Sequence, residues 1–149
     1  MSSEFDEIEI IDAIPEDLES IEALLQETDL TTDGISDYFQ NYLVLKSGHS
    51  LFGVCGLEIY GTDGLLRSLA ITPKFQKKGL GSTILEVMLD KARLLNIHTM
   101  YLLTNTAEDF YLKHGFMTIY REETPESIQI SQEFAHLCPI SSKVMKKEL

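Results

Sequence analysis

The sequence predicts a mixed α/β domain, with helices on both faces of a sheet. Three observations carry this expectation. Strand-like and helix-like segments follow one another in the order β-α-α-β-β-β-α-β-α-β-α-β. Consecutive apolar runs in the first half are punctuated by glycine-containing turns, and a long stretch from Gly79 to Leu95 carries apolar residues at helical spacing. At 149 residues the chain is expected to form one domain over positions 1–149, large enough to bury a core.

"FDEIEIIDA" alternates apolar and acidic residues and predicts an edge strand around Phe5 to Ile11. "PEDLESIEALLQE" reads as a helix with Pro15 in its first turn, acids favouring its N-terminal dipole, and a stripe of Leu18, Ile21, Leu24 and Leu25. After the loop "TDLTTDG", "ISDYFQN" predicts a short second helix. "YLVLKSGHSLFGVCGLEIYGTDGLLRSLAI" predicts three strands with turns at Ser47-Gly48 and Thr62-Asp63-Gly64. The long helix from Gly79 to Leu95 presents Leu80, Ile84, Met88, Ala92 and Leu95 on one face. "HTMYLLT" is apolar enough for a central strand. "AEDFYLKH" is a short helix stopped at Gly115, "FMTIY" a strand, "ESIQISQEFAHL" a helix and "SSKVMKK" a last strand.

Composition excludes several classes. No apolar run approaches the roughly 20 residues of a membrane span, and the acidic start "MSSEFDEIEI" is neither a secretory leader nor a transit peptide. Cys55 and Cys138 have no metal-ligand spacing, so a reduced, cytoplasmic, metal-free chain is expected. The formal net charge is −12, and the first 45 residues hold 13 acids and no Lys or Arg. Nucleic acid and anionic membranes are therefore disfavoured as partners. The acidic stretch reads as solvated helix face, or as an attractor for a cationic amine.

Against that background "QKKGLGS", Gln76 to Ser82, is a local cationic trap. A strand feeds a helix whose first turn offers unpaired N–H groups and a partial positive charge, which suits phosphate. Gly79 and Gly81 allow close approach, and Lys77 and Lys78 add charge. GxxxxGK[ST] is not satisfied, and Ile84 stands where GxGxxG requires its third glycine.

The run Gln76-Lys77-Lys78-Gly79-Leu80-Gly81, preceded by "SLAI" and Pro73, resembles the Gln/Arg-x-x-Gly-x-Gly/Ala loop of the GNAT acyltransferases. About 34 residues on, "AEDFYLKHGF" resembles the family's second signature, a short helix ending in Tyr-x-x-x-Gly-Phe. The resemblance implies a GNAT fold, a mixed and mostly antiparallel sheet of about seven strands, with acetyl-CoA as acyl donor. It implies that Gln76, Lys77, Lys78, Gly79, Leu80, Gly81 and Ser82 hold the pyrophosphate. By the same resemblance, the backbone of Leu69, Ala70 and Ile71 receives the pantetheine and polarises the carbonyl. The family often has Asn seven residues before the helix tyrosine. Here Thr104 stands there with Asn105 beside it, and either could bond the pantetheine arm. "GLLRSLAI", "YLLTNTAEDFY" and "EFAHLCP" with Ser141-Ser142 are also similar to a subgroup linked to arsenic resistance and amino-acid acetylation, which often has Phe at the position of Tyr111.

Acyl transfer to an amine needs donors for the carbonyl oxygen, a neutral amine and a proton for the departing thiolate. Tyr111, at the family's tyrosine position, is the candidate acid; the alternative is a core tyrosine. An amine of pKa about 10 is roughly 0.1% neutral at pH 7, so a base helps. Glu58, inside "CGLEIYG", is the candidate, where burial would raise its pKa; the rival is an exposed strand-face residue. Arg67, a charge inside "LLRSLAI", is the candidate clamp for an acceptor's carboxylate, the alternative being a surface ion pair. His98 and His114 read as structural. The sequence thus predicts an acetyl-CoA-dependent N-acetyltransferase acting by direct transfer on a small-molecule amine, an amino acid or amino-acid-like toxin. Two other readings are a non-catalytic acyl-CoA-binding module and a protein N-acetyltransferase. A homodimer is implied by the family alone.

Overall fold

The computed structural model describes residues 8–129 and 142–149. Its strands form a seven-stranded sheet in the order β1-β2-β3-β4-β5-β7-β6. These are β1 (Glu9–Asp12), β2 (Leu43–Ser47), β3 (Ser50–Tyr60), β4 (Asp63–Ile71), β5 (Thr99–Thr104), β6 (Met117–Ile119) and β7 (Lys143–Glu148). The helices are α1 (Leu18–Glu27), α2 (Ile35–Tyr38), α3 (Leu80–Leu94), α4 (Glu108–Lys113) and α5 (Glu126–Gln129). β4 and β5 pair in parallel over Asp63–Leu65 with Thr99–Tyr101, as a crossover through α3 allows. β1 with β2, β2 with β3, β5 with β7 and β6 with β7 are antiparallel.

Two compact units divide the chain, Met1–Leu57 with Ser68–Asp90, and Glu58–Arg67 with Lys91–Leu149, so β3 and β4 each run from one into the other. In the first unit, α1 contributes Ile21, Leu24 and Leu25 to a core that includes Tyr42, Val44, Val54 and Ala70. Pro15 opens a 3-10 turn, Pro15–Asp17, rather than α1 itself. Asp17 departs from the solvated reading of the acidic stretch. It is 5% exposed, pairs with Lys46 and accepts the Ile14 N–H at 3.0 Å. In the second unit, Leu65, Tyr101, Ile128 and Val144 pack together.

Two local expectations are corrected, and others lie outside the described residues. The β3–β4 turn is Gly61-Thr62, and Asp63 and Gly64 already lie in β4. Gly61 has φ +66°, the left-handed conformation that lets two residues reverse the chain. Leu95 lies beyond α3 and is 41% exposed, while Leu85 and Leu89 complete the buried face with Ile84, Met88 and Ala92. The first strand begins at Glu9, its predicted residues 5–7 lying outside the described residues, as do the predicted helix beyond Gln129 and Cys138.

Cys55 is fully buried in β3, and burial pushes its thiol well above its ordinary range. The neutral thiol is the unreactive form, so Cys55 is expected to resist iodoacetamide in the native protein and to react once urea unfolds it. Peptide mapping that finds Cys55 alkylated under native conditions at neutral pH would contradict its burial.

Candidate active site

Within the first unit, β4 ends in the predicted pantetheine-binding residues. Leu69 is half-buried, and Ala70 and Ile71 are 6% and 8% exposed. Just ahead of them Ser68 has φ +59°, a left-handed residue inside a strand, which turns the backbone that follows. The chain then passes through the 3-10 turn Pro73–Phe75, anchored by buried Phe75 against Phe52 at 4.6 Å between ring centroids. Gln76 donates its side-chain amide to the Ile71 carbonyl at 2.9 Å, tying the loop to the end of β4.

Lys77 and Gly79 both have left-handed backbones, φ +64° and +81°. Beyond Gly79 and its two chain neighbours, no heavy atom lies within 4 Å of the point where a Cβ on Gly79 would stand, so the turn is open to an approaching group. Lys77 and Lys78 are exposed beside it. The first helical bond of α3 is Thr83 N–H to the Gly79 carbonyl at 3.1 Å, reinforced by the Thr83 hydroxyl at 3.0 Å. The Leu80 and Gly81 amides therefore lie ahead of the helical ladder, where a phosphate gains most. Gly79, by its φ, and Gly81, by its place inside α3, serve different purposes.

In the second unit the structure brings Glu58 and Arg67 together. The guanidinium donates from Nη1 to Glu58 Oε2 at 2.6 Å, and the two side chains are 1% and 0% exposed. The exposed-strand reading of Glu58 and the surface-pair reading of Arg67 are both overturned: the pair is interior. Both charges lose their water in the interior, and their close pairing offsets that desolvation cost. Tyr60, half-buried, donates its hydroxyl to the other Glu58 oxygen. Sequence reading missed Tyr60, although it stands two residues from Glu58 on one strand and so on the same face.

Tyr111 is 8% exposed on α4, edge-to-face with Phe110 and Phe116 at 5.1 and 5.5 Å between ring centroids. Gly115, φ +89°, follows the helix and lets Phe116 N–H return to the Tyr111 carbonyl at 3.1 Å. Thr104 uses its hydroxyl to accept the Ala107 N–H at 3.0 Å, and Asn105 Oδ1 accepts the Ser142 hydroxyl at 2.6 Å. Both side chains thus brace the β5–α4 turn. Among the described residues no three His, Cys, Asp or Glu gather as for a metal, and no helix is long and apolar enough to cross a membrane.

A seven-stranded mixed sheet, a kinked fourth strand and a glycine turn opening a helix define an acyltransferase-type scaffold. Residues 39–118, more than half of the chain, match the acetyltransferase (GNAT) domain family, and the chain belongs to that family. It is 26% identical over 109 residues to the amino-acid acetyltransferase of Neisseria meningitidis, covering 69% of this chain and 25% of the relative. An uncharacterised Bacillus subtilis protein, YwlB, is 29% identical over 134 residues, 86% of this chain and 88% of that one. This chain therefore spans about a quarter of the length of the Neisseria enzyme it matches. N-acetylglutamate synthase from Neisseria gonorrhoeae, solved with coenzyme A and N-acetyl-glutamate, shares the fold with TM-score 0.82 at 22% identity, over 95% of this chain and 35% of that one. A Mycobacterium tuberculosis protein, Rv2747, solved with CoA and NLQ, does so with TM-score 0.79 at 19% identity, over 95% and 99%.

Proposed function

We propose that this chain, acting as one acetyltransferase domain, moves an acetyl group from acetyl-CoA to the primary amine of a small molecule, an amino acid or amino-acid-like toxin. The observation that carries the reading is the open left-handed turn at Lys77–Gly79 ahead of α3, built at the end of a kinked strand. Relatives named amino-acid acetyltransferases support the acceptor class. A cytoplasmic location, expected from the cysteine spacing, and a homodimer, carried over from the family resemblance, are parts of the proposal.

The donor supplies a thioester, an activated acyl group. The amides ahead of the α3 ladder, with Lys77 and Lys78, would hold its pyrophosphate, and the backbone of Leu69–Ile71 its pantetheine and carbonyl. As the C–N bond forms and the C–S bond breaks, two protons move. Glu58 takes the amine's proton, reached along the Tyr60 hydroxyl, and Arg67 holds the carboxylate in place. Tyr111 returns a proton to the thiolate. Arg67 is here a positioning residue, because a side chain with no exposed surface already faces Glu58.

Purified protein should release thiol from acetyl-CoA only when an amino-acid-like amine is added, among a panel that includes amino acids, arsenic- and phosphorus-bearing glutamate analogues, polyamines and peptides. Tyr111→Phe should lower kcat by about a hundredfold, the lower bound for a lost acid–base group, with CoA binding intact. Peptide-only turnover would make it a protein-modifying enzyme. Silence across the panel, with acetyl-CoA still raising the melting temperature, would leave a binding module and defeat the proposed activity.

A further inference from the structure

Ser68 is an unusual residue for its place. A non-glycine at φ +59° inside a strand does not hold that conformation by its own preference; its surroundings must hold it. The surroundings are specific. Tyr42, fully buried after the 3-10 turn Phe39–Asn41, places its hydroxyl 2.8 Å from the Ser68 hydroxyl. To reach that point its ring lies flush on β3 at Gly56. A Cβ on Gly56 would stand 2.3 Å from Tyr42 Cζ, 2.4 Å from Cε1 and 2.8 Å from the hydroxyl oxygen. Three segments of the first unit thus converge on one backbone irregularity. Gly56 makes room, Tyr42 crosses it, and the Tyr42 and Ser68 hydroxyls meet where β4 turns. Immediately beyond lie Leu69, Ala70 and Ile71.

We infer that Tyr42, seated on Gly56 and hydrogen-bonded to Ser68, is a positioning residue that holds the left-handed kink of β4 and so aims the Leu69–Ile71 backbone at the acyl-pantetheine arm. This rests on the acetyl-CoA reading above. It adds that the aim is set from beneath the strand, by a buried phenol that touches no substrate. The kink itself belongs to no glycine, so contacts from its surroundings must hold it, and the hydroxyl pair is one that reaches Ser68 directly. Without that pair, Ser68 would relax toward the extended conformation its side chain favours. The following amides would then turn with it. The phosphate turn at Lys77–Gly79 carries its own left-handed residues and would not be affected in the same way.

The test uses the full chain and two probes, acetyl-CoA and 3′-phospho-ADP, the half of CoA that carries no pantetheine. Tyr42→Phe removes one oxygen and keeps the ring. Acetyl-CoA affinity by calorimetry is expected to fall about tenfold, the equivalent of one lost hydrogen bond, with 3′-phospho-ADP affinity retained. Amide signals of Leu69, Ala70 and Ile71, which should move when acetyl-CoA joins the wild type, should move less in the variant. Adding Ser68→Gly should recover most of the loss, since glycine adopts positive φ without being held. Ser68→Ala, which leaves Tyr42 intact, is the second variant should Tyr42→Phe fold poorly, and the same split between the probes is expected. Equal loss for both probes, or no loss for either, overturns the inference while leaving the acetyl-CoA reading in place. A wild-type spectrum that acetyl-CoA does not perturb at Leu69–Ile71 overturns both.

Discussion

Arg67→Met is expected to cost about 3–5 kcal/mol of stability, the usual penalty for removing one partner of an interior ion pair. The side chains of Glu58 and Arg67 are 1% and 0% exposed, so water cannot replace the guanidinium at 2.6 Å. The carboxylate would keep the Tyr60 hydroxyl but lose its countercharge. Urea denaturation would read the loss directly, and a change under about 1 kcal/mol would mean the pair is solvated after all. The double variant Glu58→Met with Arg67→Met separates structure from chemistry. Replacing both charges by apolar side chains of similar volume is often neutral or stabilising, so the fold should return. Acetyl transfer should not return with it, because the proposed proton acceptor is gone. Restored activity in a stable double variant would remove Glu58 from the mechanism.

Gly56→Ala is the second large effect, with an expected loss of about 3 kcal/mol, the upper part of the range for overpacking a closed core. The added methyl would stand 2.3 Å from Tyr42 Cζ, inside van der Waals contact, and the ring is fully buried, so its neighbours must shift with it. Gly53→Ala, three residues earlier on the same strand, makes the control. Its nearest contact is Ile71 Cδ1 at 2.7 Å, the far end of a flexible side chain, with the Ala70 carbonyl and Leu45 Cβ both at 3.3 Å. It should cost about 1 kcal/mol, as a small rotamer shift does. Combining Gly56→Ala with Tyr42→Leu should recover part of the loss through a favourable coupling. Additive losses would show that the ring is not what the methyl meets.

Of the candidate site, the turn at Lys77–Gly79 was legible as a turn because its signal is local. Only glycine takes φ +81° without strain, and lysines in an acidic chain mark a need for positive charge. The end of α4 after Tyr111 was legible through Gly115, whose positive φ makes the helix stop. Glu58 and Arg67 were each visible as charges in apolar strands, yet they were given to separate tasks. Nothing in either segment says that the Gly61-Thr62 turn folds one against the other. Ser68 gave no sign, since serine has no preference for φ +59° and the hydroxyl it meets belongs to Tyr42, 26 positions away.

The sequence by itself determined the kind and order of the elements, because the periods of helix and strand and the turn chemistry of glycine are properties of neighbouring residues. It also marked the glycine turn that opens α3. Tertiary structure alone decided that β7 enters between β5 and β6, that Glu58 and Arg67 neutralise one another in the interior, and that the hydroxyl of buried Tyr42 meets Ser68 in β4. Each of those joins residues far apart in the chain, and such partners are chosen by which surfaces pack and which buried polar groups find a match, a condition no local pattern records.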